Sequence, residues 1–321
     1  MIVVGGEALV DLVVRDGHVR AIPGGGPFNT AIALGRLGTP VGFCGQLARD
    51  RFGRMLERHL SESEVDLTYA RRGDEPTPLA LAFPTETGEA EYTFYLAGTA
   101  LSGTTPETLP AFGPEVVALH LGTLALAVDP PASAFEALLE RESAHRVVVI
   151  DPNARPGVMR DPARYRVRFE RWTSRAQVIK LSLSDAAWLY PEVAPEDVVQ
   201  RLLSFGAKLV ALTLGPDGAI ATTAVGSARV PAARIDVVDT IGAGDAFGAG
   251  LLHRLLELEK LDTSSIGGLD DAELDDVLTF ATAVAALQCS RAGSQPPTLH
   301  EVERFLHEPP ERAMDRGSDR D

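Results

Sequence analysis

The sequence predicts an α/β fold: a mostly parallel sheet with helices on both faces, a three-layer α/β/α body, and a small β-sheet lid. Three observations predict it. Short β-branched runs alternate with longer segments of helical period along most of the chain, the rhythm of parallel strands joined by helices. Two of these runs, "RVVVID" and "LVALTLG", are almost wholly apolar, as strands covered on both faces must be, so they belong in mid-sheet. Two further stretches alternate with the two-residue period of half-buried hairpins.

In chain order, "MIVVGG" reads as a strand followed by the helix "NTAIALGRLG", and "VGFCG" as a strand before the helix "RFGRMLERHLSES". "VVALHLG" precedes the helix "PASAFEALLERES"; "RVVVID" follows, then "QVIKLS" with the helix "DAAWLY", and then "LVALTLG". The hairpins are "ALVDLVVRDGHVRAI" (8–22), turning at Asp16-Gly17, and "TPLALAFPTETGEAEYTFYLA" (77–97), turning at Thr87-Gly88. They are expected to form a lid, about 8–22 and 77–100, within a single domain of residues 1–308. Such a flap can exclude water from a site or join two subunits. The segment 309–321 is proline-broken and charged and is expected to fray.

Composition narrows the function. Of 321 residues, 45% are hydrophobic and 23% charged, the balance of a globular chain. Lys and Arg total 30 against 45 Asp and Glu, a net charge of -15, which argues against nucleic-acid partners and anionic membrane surfaces. A small anion remains admissible, because backbone N–H groups act over a few ångströms regardless of net charge. Cys44 and Cys289 make neither a disulfide framework nor a metal-ligand spacing, which fits a reducing cytoplasm. No leader and no membrane span is expected, since "VVALHLGTLALAV" is short and interrupted by His120. His120 is expected to be a hydrogen-bonded core residue.

Three stretches carry chemistry. In "DTIGAGDAFGAG" (239–250) a glycine-rich turn feeds a helix continued by Ala246, Phe247, Leu251, Leu252 and Leu255. Gly242, Ala243 and Gly244 would leave N–H groups facing outward at a positive helix end, an anion cradle. Asp245 has two readings: a helix cap, or a general base that deprotonates a hydroxyl attacking a phosphoryl group. In "GGGPFNTAIALGRLG" (24–38), Asn29 is either a helix cap or a donor and acceptor for sugar hydroxyls, with glycines letting the backbone approach a polyol. In "VALTLGPDGA" (210–219), an apolar strand runs into a turn at its carboxyl end, where open α/β sheets bind ligands. A GxxxxGK[ST] phosphate loop, an HExxH zinc motif and a GxSxG elbow are absent, and Gly242, Gly244 and Gly248 do not make the dinucleotide spacing.

Taken together, "GGGPFNTA", "DTIGAGDAF" and "TLGPDGA", in that order, resemble the signatures of the PfkB, or ribokinase-like, carbohydrate kinases, and the resemblance spans almost the whole chain. It implies ATP-dependent phosphoryl transfer to a primary hydroxyl of a small sugar, with Asp245 as base and Gly242, Ala243 and Gly244 around the γ-phosphoryl group. Asp11, Gly25, Gly26 and Asn29 would hold the sugar. Arg155 would pair with the γ-phosphate or an acidic substrate, or else form a surface ion pair. Thr213, Gly215 and Gly218 would lie on the ATP side, and Lys180 would face the triphosphate unless it snorkels to solvent. Mg²⁺ would be held through ATP and water rather than by a carboxylate cage, and a monovalent cation, K⁺, would sit near Asp239. Lid pairing between subunits would give a homodimer.

Within that family the chain looks most like the fructokinases and 2-keto-3-deoxygluconate kinases; a nucleoside kinase and a non-catalytic sensor are the alternatives. Two departures stand out. The Asn-x-x-Glu motif that organises magnesium waters is here Ser182 to Asp185, and "AGTALSG" (97–103) lacks the acid common after the last lid strand in fructokinase-like sequences.

Overall fold

The computed structural model describes residues 1–15, 17–84, 90–159 and 161–307. Its elements begin with β1 (Ile2–Gly5), β2 (Leu9–Arg15), β3 (His18–Gly24), α1 (Gly26–Arg36), β4 (Val41–Cys44), β5 (Gln46–Ala48) and α2 (Arg51–Glu62). They continue with β6 (Arg71–Gly73), β7 (Leu79–Pro84), β8 (Ala90–Tyr95), β9 (Ala118–Gly122), α3 (Leu124–Ala127), α4 (Pro131–Glu142) and β10 (Val147–Asp151). Next come α5 (Pro162–Thr173), β11 (Val178–Ser182), α6 (Leu183–Leu189), α7 (Pro195–Phe205), β12 (Leu209–Thr213), β13 (Ala219–Thr222) and β14 (Ser227–Val230). The last helices are α8 (Ala243–Glu257), α9 (Asp271–Cys289) and α10 (Leu299–His307).

Among the described residues the main sheet has the order β14-β13-β12-β11-β10-β9-β1-β4, parallel from β12 to β4, with β13 and β14 added antiparallel at one edge. The two most apolar runs, β10 and β12, lie inside the sheet as expected. Alternation along each strand feeds two cores. Ile2 and Val4 pack with Phe28, Leu251 and Val277 on one face, while Val3 packs with Phe135, Phe169 and Trp172 on the other. The body is thus three-layered, α/β/α.

The lid is a separate sheet of order β3-β2-β7-β8: two antiparallel hairpins joined by parallel pairing of β2 with β7. The expected hairpins are both present, although β3 continues to Gly24 and β8 stops at Tyr95. Their turns at Asp16 and Thr87-Gly88, and the tail 309–321, lie outside the described residues. The 19-residue helix α9 has no counterpart in the sequence reading. It is packed by α8, α10, β13 and β14, so apolar residues surround it and the one-sided stripe that reveals a helix is blurred.

The lid is tied to the body through Asp50. Its Oδ1 accepts the Gly53 N–H, capping α2, and the Thr77 hydroxyl, each at 2.7 Å; its Oδ2 accepts the Thr77 N–H at 2.8 Å. One carboxylate therefore fixes the start of α2 and the approach to β7. Asp50→Ala is expected to lower stability by about 1–2 kcal/mol, the usual loss on removing a helix cap, and urea unfolding measures it. An unchanged midpoint would show that the tie holds nothing.

Candidate active site

Every parallel strand ends on the same side of the sheet, and the chemistry-bearing turns collect there. At the start of α8, Gly242 has φ 76°, a left-handed conformation that suits glycine, and a Cβ there would lie 2.7 Å from Ser294 Oγ. Gly242 is the helix cap, so Asp245 sits three residues further on, within the first turn, and the capping reading of that residue fails. Its buried carboxylate accepts instead from a residue 216 positions away: Asn29 Nδ2 donates to Asp245 Oδ2 at 2.8 Å.

Asn29 is not a cap either. Helix α1 is entered through Gly25, which places Asn29 four residues inside. The anion cradle also needs one correction: the Ala243 N–H donates to Thr240 O at 3.2 Å and is occupied. The Gly242 and Gly244 amides keep no acceptor among the described residues, and a Cβ on Gly244 would lie 3.1 Å from Lys180 Nζ. An anion there meets two amides and an ammonium.

The glycines before α1 also permit close packing within the body. Gly25, at φ 111°, brings its Cα against Glu7 O, where a Cβ would come within 2.8 Å, and a Cβ on Gly26 would come within 2.3 Å of Thr123 Oγ1. A side chain at either position would meet the body's own backbone and hydroxyl. Glu7 went unrecognised in the sequence; buried, it accepts the Leu124 and Ala125 N–H groups at the start of α3, at 3.4 and 3.0 Å. Thr123 and Asn153 both have positive φ, 59° and 36°, and Asn153 Nδ2 donates to Thr123 Oγ1 at 3.2 Å. Non-glycine residues held this way mark a strained, over-determined site.

Buried charge is concentrated here. Lys180 does not reach for solvent: it lies 2.7 Å from Asp151 Oδ2, both side chains buried. Burial opposes the Lys180 ammonium, but Asp151, with Asp185 and Asp245, outweighs that and holds its pKa above the usual lysine value. Burial raises Asp245, and Asn29, Lys180 and Arg155 pull it back. Burial pushes Asp11 up to about 6 and Glu7 to about 7, with Arg155 opposing both shifts. Arg155 forms no ion pair among the described residues; it donates to Asn153 O, Asn153 Oδ1 and Ala154 O, so its own loop aims it among these carboxylates. His120, expected to be hydrogen-bonded, leaves Nδ1 without a partner among the described residues. Burial, with Lys180 nearby, lowers its pKa to about 3, so it is neutral.

The remaining residues form a second group along the same edge. Ser182 and Asp185 make a reciprocal capping box at α6, and Asp185 Oδ1 also accepts the Ala154 N–H at 2.6 Å. Asp185 thus fastens the loop of Arg155 to α6, a use in which its shorter side chain is well suited. Thr213 pairs in register with Ser182, and the turn beyond it carries Gly215 at φ 60° and Gly218 at φ 94°. A Cβ on Gly218 would come within 2.0 Å of Val230 O, so tight packing requires that glycine. Asp239 accepts the Ile241 and Gly293 N–H groups at 3.0 and 2.9 Å, clamping the loop after α9 to the start of α8.

Between lid and body lies a cleft of about 760 Å³, with Asp11 and Arg20 on the lid side and Asn29, Asp239 and Ile241 on the body side. Residues 2–301 match the pfkB family carbohydrate kinases. The chain belongs to that family. Among pfkB relatives, a fructokinase of Rhizobium leguminosarum bv. trifolii is 39% identical over 280 residues, covering 85% of each chain. The crystal structure of fructokinase with bound ATP from Xylella fastidiosa superposes with a TM-score of 0.88 at 28% identity, covering 96% of this chain and 98% of that one. A fructokinase double mutant from Vibrio cholerae, in a fructose, ADP and potassium ion bound form, gives 0.84 at 28% identity, covering 95% and 97%. This pfkB chain is a sugar kinase by family, and the Asp245–Asn29 pair stands where its two signature stretches meet.

The hydrogen bond from Asn29 stabilises the ionised form of Asp245. Asn29→Ala should therefore raise the Asp245 pKa and move the acid limb of the kcat/KM profile to higher pH. A profile superimposable on wild type would separate this bond from the base's titration.

Proposed function

We propose that this pfkB kinase transfers the γ-phosphoryl group of ATP to a primary hydroxyl of fructose, with Asp245 as general base. One observation carries the reading: a buried carboxylate, oriented by Asn29, stands beside two unpaired amides and a buried ammonium. The sugar hydroxyl donates its proton to Asp245 as its oxygen attacks the γ-phosphorus in line. Charge developing on the transferred group is met by the Gly242 and Gly244 amides and by Lys180. Asp11 and Asn29 hold sugar hydroxyls from lid and body, and Arg155 tempers the carboxylates around them. Thr213, Gly215 and Gly218 take the nucleotide side. The fructokinases among its relatives support the choice of sugar.

A divalent ion, Mg²⁺, borne on the nucleotide's phosphates would supply further charge neutralisation. Ligation of that ion through phosphate oxygens and water needs no carboxylate cage from the protein. Gln288 Oε1, buried and without a partner among the described residues beside the Asp239 clamp, is the group that fits a K⁺ ion there. Cys44 is buried and Cys289 partly so, and both are free, which suits a cytoplasmic protein.

ADP release with Mg-ATP, measured across fructose, other hexoses, sugar acids and nucleosides, tests the reaction. Fructose is expected to give the highest kcat/KM, and Asp245→Asn to lower kcat by about a hundredfold or more with little change in sugar affinity. Undiminished turnover in that variant would remove the proposed base. The lid also exposes Val19, Phe83 and Tyr95, and we assign that apolar surface to a second copy of the chain. Tyr95→Glu is expected to leave a monomer in sedimentation, whereas a monomeric wild-type chain would overturn the assignment.

A further inference from the structure

Glu7 is a buried carboxylate that the proposed transfer leaves without a part. It stands between β1 and β2, where the chain crosses from body to lid, and is only 2% exposed. Its two oxygens accept the Leu124 and Ala125 N–H groups at the start of α3, a single turn of four residues. A neutral hydroxyl at the cap position satisfies such amides at far less cost than a carboxylate withdrawn from water. Helix α3 already has that hydroxyl, because Thr123 is its cap residue, yet the Thr123 side chain makes no capping bond. Thr123 is held at φ 59° and ψ -133°, away from the extended backbone of an ordinary cap, and its Oγ1 accepts instead from Asn153 Nδ2 at 3.2 Å. Glu7 caps the helix in its place.

The hydroxyl so released holds the next link. With Nδ2 on Thr123, the Asn153 amide turns Oδ1 toward Arg155, whose Nη1 donates to it at 2.6 Å and to Asn153 O and Ala154 O at 3.1 Å each. Thr123 also donates its own N–H to Asp151 O at 3.1 Å, so the turns that follow β9 and β10 close on one another. Arg155 leaves this loop as a cation that favours the ionised forms of Asp11 and Asp245. Glu7 and Arg155 are thus joined by three consecutive polar contacts, through α3 with Thr123 and then through Asn153.

We propose that Glu7 is a positioning residue for phosphoryl transfer: by capping α3 it frees the Thr123 hydroxyl for Asn153, and Asn153 in turn directs Arg155 at Asp11 and Asp245. The proposal rests on the roles of Asp11 and Asp245 given under Proposed function. Glu7 acts at several removes from the reacting atoms. Its removal returns the Thr123 hydroxyl to its own helix, lets go of Asn153 and releases Arg155 from the carboxylates it faces.

The test is a double-mutant cycle in the full chain. Glu7→Ala and Glu7→Gln are made alone and with Arg155→Ala, and Thr123→Val, which loses the hydroxyl and keeps the shape, is made in the same two backgrounds. Each variant is assayed for kcat/KM with fructose and Mg-ATP across pH, and for fructose affinity by calorimetry, so that a slow variant still closes the cycle. Glu7→Ala and Thr123→Val are each expected to lower kcat/KM by about tenfold and to move its acid limb to higher pH, with a smaller loss in Glu7→Gln, which keeps one acceptor oxygen. In the Arg155→Ala background the same substitutions should change kcat/KM by less than about twofold. Losses that multiply in full would overturn the proposal, because Glu7 would then support the fold without acting through Arg155. An acid limb moved to lower pH would overturn it too, since that is the direct effect of deleting a nearby negative charge. Glu7→Gln carries the cycle if Glu7→Ala does not fold. Undiminished turnover in Asp245→Asn would remove the base and leave the coupling of Glu7 to Arg155 standing, and turnover of another sugar in place of fructose would move the same cycle to that sugar.

Discussion

The hydrogen bond from Asn29 to Asp245 is the contact on which the arrangement depends. It joins the first turns of α1 and α8, helices from opposite ends of the chain that pack against one another over the sheet. For those two side chains to meet, both helices must arrive with their amino ends at the carboxyl ends of the strands. Close approach makes this geometry, and small residues permit it. A Cβ on Gly6 would strike the Pro27 ring, one on Gly26 the Thr123 hydroxyl, and one on Gly35 the Ser63 carbonyl. These glycines thus set where Asn29 stands, and Asn29 orients the Asp245 carboxylate.

Electrostatics follow from that placement. A carboxylate buried under a helix end would tend to take up a proton and lose its use as a base. Three groups oppose this in Asp245: the Asn29 amide, the Lys180 ammonium and Arg155. Lys180 remains a cation in a dry interior because Asp151 balances it. Arg155 is held by acceptors of its own loop rather than by an acid, which leaves its charge directed at Asp11, Glu7 and Asp245. His120, neutral under the same helix, adds no charge to this balance. Its ring lies 3.9 Å from where a Cβ on Gly248 would be, one turn along α8 from Gly244, so glycines four apart make room above His120 and Lys180.

Much of this was legible in the sequence because the relevant signals are local. Strand alternation marked both hairpins of the lid, and all-apolar runs marked β10 and β12 as interior strands. The glycine run before Ala246 marked the start of α8. What could not be read was which atoms the third dimension brings together. Asn29 and Asp245 each had a sound local reading as a cap, and both readings fail because Gly25 and Gly242 reach positive φ and take the cap positions. Glu7 sits in an apolar run with no motif around it, and its partners are amides 117 and 118 residues away.

The same reasoning explains why a signature glycine is a poor guide to ligand contact. In the direction a side chain would take, Gly25, Gly26 and Gly218 each meet protein: Glu7 O, Thr123 Oγ1 and Val230 O. Gly244 is different, since the atom nearest its missing side chain is the Lys180 ammonium and its amide has no acceptor among the described residues. A glycine that packs against rigid backbone preserves the shape of a site, whereas one with an open amide beside a movable cation leaves room for a ligand. The proposed phosphoryl site over Gly242 and Gly244 is of the second kind, and the glycines packed against backbone hold the floor and walls around it.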